Sequence, residues 1–241
     1  ANLRMRLGCD WRKENMAELT PMSGDEFVTK LLAGERDFRR IRLQRAFDVS
    51  AHEGFPKLQL YLLRKGINEG YDLQENPINL IGADLSYVVA PSLKLLYLRA
   101  SKADFSYASF FGCYFAYSDF DGADFPQAKL ISVQFNHALL RNANLSNADL
   151  TAANLQCANL QRANLSYARL AANLGFADVA GANFARADLS DANMEGIQNV
   201  GDAENLHSAH FYQTRISRSD LGVVRKALRE HEPIIYKGLF D

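Results

Sequence analysis

Ala-Asn-Leu-Ser-Asn at residues 143–147 runs directly into Ala-Asp-Leu-Thr-Ala at 148–152, and the same five-residue beat extends far to either side. Every fifth residue over a long stretch is Phe or Leu: Phe105, Phe110, Phe115, Phe120, Phe125, Leu130, Phe135, Leu140, Leu145, Leu150, Leu155, Leu160, Leu165 and Leu170. Two residues before each stands a small one, from Ala103, Ala108, Cys113 and Ser118 through an unbroken alanine series between Ala138 and Ala168. Val133 is the one larger member of that column. The frame slips by one residue after Leu170 and resumes at Leu174, Val179, Phe184, Leu189 and Met194.

A period of five matches neither the 3.6 of an α-helix nor the alternation of a single strand. It matches a chain that makes one short extended segment and one corner per repeat. In an extended segment residues i and i−2 share a side, so the large residue and the small one both point inward. The two residues that follow turn the corner, and Ser, Asn, Gly and Asp are common there. Four such sides close a square, so each coil takes about 20 residues and advances ~4.8 Å. A square that narrow admits one large side chain per side, which explains the alanine column.

The A(D/N)LXX pattern of residues 143–152 resembles the pentapeptide-repeat family, and the resemblance covers Asn79 to Glu195. It implies an all-β solenoid, a right-handed quadrilateral parallel β-helix. An open solenoid exposes its core at both ends and needs caps, and α-helical caps are expected at the N- and C-termini. The family is functionally mixed. Some members resemble duplex DNA, forming acidic rods that bind DNA gyrase and protect it from quinolones. The family is abundant in cyanobacteria, which implies a cytoplasmic protein, or one exported to a compartment such as the thylakoid lumen if Ala1 is a processed start.

The expected organisation places an N-terminal helical cap in 1–37, a first repeat-like segment in 38–50 and an insertion or irregular coil in 51–78. The pentapeptide-repeat helix follows over 79–218, with a loop at 195–205, and a C-terminal helical cap and tail occupy 219–241. Ser23 and Glu26 have capping-box spacing ahead of Phe27, Val28, Leu31 and Leu32. Phe38 and Leu43 read as the first inward residues. Pro56 to Lys65 reads as a helix with Pro in its first turn or as a short strand. Gly66, Gly70 and Pro77 punctuate its exit. Ala90 and Ala100 hold large-residue positions, with the bulk moved to Val88, Leu93 and Leu98. Leu206, Phe211 and Ile216 restart the beat, and Ser219 or Asp220 caps a last helix running through Val224 and Leu228 to His231, ended by Pro233.

Nearly half of the 241 residues are apolar, and 27 basic residues balance 28 acidic ones, so no net field marks the chain for nucleic acid or membrane. Apolar runs such as Leu58–Leu63 fall far short of the ~20 residues a membrane helix needs, and no basic-then-apolar leader opens the chain. The chain reads as soluble. Three cysteines, Cys9, Cys113 and Cys157, lack the spacing of a zinc site or a disulfide framework. No phosphate loop, nucleophile elbow or metalloprotease motif is present, so no catalytic residue, metal site or cofactor is assigned. His207 and His210, near Asp202 and Glu204, read as a polar loop. His137 and Cys157 stack one coil apart without a third group to orient a base. Arg36, Arg39, Arg40, Arg42 and Arg45, broken by Glu35, Asp37 and Asp48, read as edge-protecting charge.

Apolar residues at outward positions mark the candidate interaction surface: Phe111 and Ile131 on adjacent coils, with Leu139, Tyr107, Tyr114 and Tyr117 on neighbouring sides. The alternative is that residues 51–76 or a terminal segment fold over it. The leading functional reading is a non-enzymatic module that displays protein-binding residues on flat sides, with a protein partner of unknown identity. The second is a gyrase-binding mimic of DNA. Against it, ten acidic residues between Asn79 and Glu195 are interrupted by eight basic ones, and a capping helix blocks stacking through the solenoid end. An enzyme with a site in the insertion and the 195–210 loop is the remote third. No direct nucleic-acid or membrane partner is expected, and end caps imply a monomer.

Overall fold

The structure is a computed structural model and describes residues 19–65 and 72–229. Parallel β-bridges join residues twenty apart, such as Asp84 to Asp104, Val89 to Ser109, Lys94 to Tyr114 and Arg99 to Asp119. One bridge every five residues and a coil of twenty define four sides. We call them the Asp124, Asp149, Tyr114 and Leu139 sides, in chain order around the coil, after a residue at the centre of each. The frame slip after Leu170 appears as a step of nineteen, Asn154 to Asn173, and ordinary stacking follows.

The corners explain the repeat's composition. In most, the N–H of the small residue donates to the carbonyl three residues back, as from Ala108 to Phe105 at 3.1 Å, and the residue before it has positive φ, +61° at Tyr107. That is the geometry of a type II turn. The outward Asp or Asn closes the corner from the other direction, its Oδ1 accepting the N–H two residues on: Ser106 to Asp104 at 2.8 Å, Ser146 to Asn144 at 3.2 Å. Only a short side chain with an acceptor oxygen does this, which accounts for the D/N of the repeat. Asn adds a donor. Asn144 donates to Asp124, Asn164 to Asn144 and Asn183 to Asn164, all at 3.3 Å, making an amide ladder along one side.

All fourteen members of the Phe/Leu series from Phe105 to Leu170 are buried, as is the small column beside them. The phenylalanines pack as a column: Phe105 stacks on Phe125 at 4.8 Å, and Phe120 meets Phe115 and Phe125 edge to face at 5.3 Å. Near the N-terminal end Val88 and Leu98 fill the small column opposite Ala90 and Ala100, and all four are buried. At Leu93 and Leu98 the corner N–H donates instead into the next coil, to Cys113 Sγ at 3.4 Å and Ser118 Oγ at 2.9 Å. The Ser118 hydroxyl in turn donates to the Leu95 carbonyl at 3.2 Å. Two of the departures from alanine thus serve corners distorted by the swap. Ser118→Ala removes an acceptor from a buried N–H and is expected to cost about 1–3 kcal/mol, read from the midpoint of urea unfolding, while Ala123→Ser gains no compensating bond.

The first coil starts at Asp37, which bridges Asn79, and continues through Arg42 to Asp84 and Asp48 to Val89. Residues 38–50 are therefore in register with the repeats, and Phe38 and Leu43 are buried. One strand not foreseen lies outside it: β1 (Thr20–Met22) pairs in parallel with β2 (Ile41–Leu43). Thr20 donates to Arg40 and Met22 accepts from Gln44, so the intervening Pro21 turns its donor-free nitrogen to the outer edge. A proline there blunts further strand addition.

Helix α1 (Gly24–Leu32) begins at Ser23, whose Oγ accepts the Glu26 N–H at 3.1 Å, and buries Phe27, Val28 and Leu31. The ambiguous 56–65 segment is a helix, α2 (Phe55–Leu63), with Pro56 in its first turn. Leu58 and Leu62 are fully buried. Phe27, Leu31 and Leu58 line the same apolar space as Leu85, Leu98 and Phe105, so α2 plugs the end of the solenoid beside α1. The short α3 (Asp72–Glu75) follows and returns the chain to the repeats.

Residues 195–205 do not form a loop off the solenoid. Gln198 bridges Asp178 and Glu204 bridges Asn183, with Ile197 and Val200 buried inside. Single-residue insertions stretch the step to twenty-one and then twenty-two, and that obscured the beat in the sequence. The last helix, α4 (Arg218–Arg229), starts earlier than expected. Its cap is Ser217, which accepts the Asp220 N–H on its hydroxyl at 3.2 Å, and neither Ser219 nor Asp220 holds that role. Val224 is fully buried, and α4 packs on the turns at Val200–Asp202 and Leu206–Ser208. Cys9, Gly66, Gly70, the Leu228 side chain, His231 and Pro233 lie outside the described residues.

Candidate interaction surface

Five of the six surface residues singled out from sequence are strongly exposed: Phe111 at 53%, Tyr117 at 50%, Tyr107 at 45%, Tyr114 and Leu139 at 39%. Ile131 is half-buried. The four-sided register separates them. Tyr114 sits at the centre of its side, Phe111 and Ile131 at the corner leading into that side, and Tyr117 at the corner leading out. Leu139 lies around that second corner. Tyr107 lies at the corner diagonally opposite Tyr117. The six do not form one patch, and the coherent group is Phe111, Ile131, Tyr114 and Tyr117. Helix α2 does not cover it, being spent on the N-terminal plug, and residues 66–71 and both chain ends lie outside the described residues.

Two columns of rings run along the diagonal corners. Tyr97 stacks on Tyr117 at 5.4 Å and Tyr117 on His137 at 4.8 Å, with the last two rings only 3° from parallel. Opposite, Arg45 lies 4.1 Å over Tyr87, which stacks on Tyr107 at 4.7 Å. Tyr97, Tyr117, His137, Cys157 and Phe176 all have positive φ, where Asn or Gly would sit with less strain, roughly 1–2 kcal/mol per residue. Further along, Phe176 crosses Gly196, where a Cβ would come within 2.5 Å of the ring. Sequence reading paired His137 with Cys157 in this corner but missed Tyr97 and Phe176 as its members. The signal was available as ring residues recurring at steps of twenty in a turn position.

The Tyr114 side is also distinguished by charge. From Tyr114 through Gln134 and Asn154 to Asn173, with both flanking corners, it carries no Asp, Glu, Lys or Arg. Charges stand only at its ends: Lys94, whose ammonium lies over the Tyr114 ring, and Asp191, Glu195 and Arg215. Its centre is a second amide ladder, Asn154 donating to Gln134 at 3.2 Å and Asn193 to Asn173 at 3.1 Å. The other sides are charged. The Asp149 side alternates Lys129, Asp149, Arg169 and Asp188, with Arg169 3.1 Å from Asp149. The Leu139 side has Arg99, Asp119 and Asp178. Burial works against the Asp178 carboxylate, but hydrogen bonds from Asn199, Gln161 and the Ala180 N–H hold its pKa below the ordinary value.

The remaining candidates carry structure. Cys113 is buried, donates to the Ala90 carbonyl, and has its pKa pushed by burial up to about 12, far from a reactive thiolate. His137 and Cys157 occupy successive positions in the corner column, and His137 is held as a ring against Tyr117. His210 extends the Asp149 side by bridging Asp188. No group of three metal-binding side chains exists among the described residues. No described helix is long and apolar enough to cross a membrane. Of the arginine cluster, Arg39 bonds Asp37 at 2.8 and 2.6 Å, Arg42 pairs with Asp84 at 3.5 Å, and Arg36 donates to Tyr61 Oη at 2.6 Å.

Rungs twenty residues apart, two-residue corners and an alanine-lined interior define a four-sided β-helix type solenoid built from five-residue repeats. Residues 108–147, 143–172 and 171–198 match the pentapeptide-repeat model in eight copies. Residues 108–198 of the chain are therefore pentapeptide repeats. No curated protein matches it. Among solved structures it is similar to QnrB1, a plasmid-mediated fluoroquinolone resistance protein, at 14% identity and TM-score 0.35, over 62% of this chain and 87% of that one. It is also similar to HetL, a pentapeptide repeat protein involved in heterocyst differentiation regulation in the cyanobacterium Nostoc sp. strain PCC 7120, at 23% identity and TM-score 0.26, over 79% and 97%. A third is a pentapeptide repeat protein of the Arabidopsis thaliana thylakoid lumen, at 26% identity and TM-score 0.22, over 47% and 66%.

Proposed function

We propose that this protein is a non-enzymatic interaction module that binds a protein partner through the Tyr114 side. The observation that carries the reading is the combination on one side of exposed Phe111, Tyr114 and Tyr117 with a charge-free centre, while the other sides are charged. Interface cores are enriched in aromatic residues and depleted of charge. An uncharged side gives nothing to phosphate or to anionic lipid, so the partner's contact surface is protein. A DNA mimic needs a continuous acidic stripe. Here the Asp84, Asp104 and Asp124 column meets Arg42 at one end and gives way to Asn144, Asn164 and Asn183 at the other.

The test is affinity capture from native extract with three baits: wild type, Phe111→Asp/Ile131→Lys on the Tyr114 side, and Lys129→Glu on the Asp149 side. A protein held by wild type and by the Lys129→Glu control, and lost from the double variant, supports the reading. The same proteins on all three baits overturn it.

A further inference from the structure

We propose that the partner of the Tyr114 side is a second copy of this chain, packed side against side with the two solenoids antiparallel. This rests on the interaction reading above and names its occupant. The rungs that bound the neutral stretch of Tyr114, Gln134, Asn154 and Asn173 carry opposite charge, Lys94 at one end and Asp191 with Glu195 at the other, with Arg215 one rung further out. A two-fold axis along the strand direction, passing between the Gln134 and Asn154 rungs, superposes the side on itself reversed. It sets Lys94 of each copy beside Glu195 of the other, so one pairing forms twice, as a closed isologous interface requires.

The same operation matches shapes. The rung of Tyr114 faces that of Asn173, so the large Phe111 meets the corner of Ala171, and Tyr117 meets Phe176. Phe111 thereby faces a small residue, Tyr117 an apolar ring and Tyr114 an uncharged amide, and no like charges oppose each other across the neutral centre. The described cap helices α1, α2 and α4 do not interfere, because they pack at the ends of the solenoid. Area sets the strength. Six rungs at ~4.8 Å give a length of roughly 29 Å, and the three extended residues of a side span about 10 Å. The product, roughly 300 Å² per copy before the corner rings add to it, is well below the ~800 Å² of a standard interface, so the dimer is weak and reversible.

Sedimentation velocity of the full chain from about 1 to 300 µM tests this, with the folded state of each variant checked by circular dichroism. Concentration-dependent dimerisation is expected for wild type. Lys94→Glu and Glu195→Lys should each weaken it at least tenfold, and the double charge reversal should restore it to within about threefold of wild type. Phe111→Asp should abolish it. A monomer throughout overturns the proposal, as does a dimer indifferent to these substitutions or a double reversal no better than the singles. If the chain stays monomeric while Phe111→Asp/Ile131→Lys still loses a captured protein, the second copy is excluded and the interaction reading stands.

Discussion

Phe120→Ala is expected to destabilise the protein by about 3–5 kcal/mol, because it empties the centre of the aromatic column. Phe120 is fully buried and meets Phe105, Phe115, Phe125 and Phe135 at ring distances of 5.3–5.9 Å. The surrounding coils are held by bridges on four sides and cannot collapse into the space. In a solenoid each coil contacts only its neighbours, so the damage is local in origin. Urea unfolding followed by circular dichroism should show either one transition at a much lower midpoint or two, the coils before residue 120 melting first. Hydrogen exchange resolved by peptide would assign the early phase to residues 79–125. An unchanged midpoint would mean that Phe120 does not contribute to the core as its burial indicates.

Ala143→Leu is the second large effect. Ala143 is fully buried beside Leu145, and three added carbons have nowhere to go in a four-sided interior whose rung spacing is set by hydrogen bonds. Overpacking of this kind typically costs about 1–3 kcal/mol. The protein itself shows the remedy, since Val88 with Ala90 and Leu98 with Ala100 exchange large and small between the two inward positions of one side. The double variant Ala143→Leu/Leu145→Ala is therefore expected to recover part of the loss, giving a favourable coupling in a double-mutant cycle. Purely additive destabilisation would show that the two columns are not interchangeable in the central coils.

The period of five, the inward pair of large and small residues, the coil of twenty and the slip after Leu170 were all legible in the chain. Each is a local rule repeated, and repetition lets weak local preferences add until no other arrangement fits. The Asp and Asn of the repeat were legible as a pattern, while the corner bonds they make two residues on were shown by the structure. Tertiary structure decided what depends on rungs far apart in sequence. It placed α2 at the end of the solenoid, since Leu58 and Leu62 find their apolar partners in other coils. It kept residues 195–205 in the stack, because bridges to Asp178 and Asn183 absorb inserted residues that break the beat. It made Cys113 and Ser118 acceptors for Leu93 and Leu98 one coil earlier. Above all it divided six apolar surface residues among three places around the coil and left the centre of one side without charge, since a side is a set of residues twenty apart that no local preference relates.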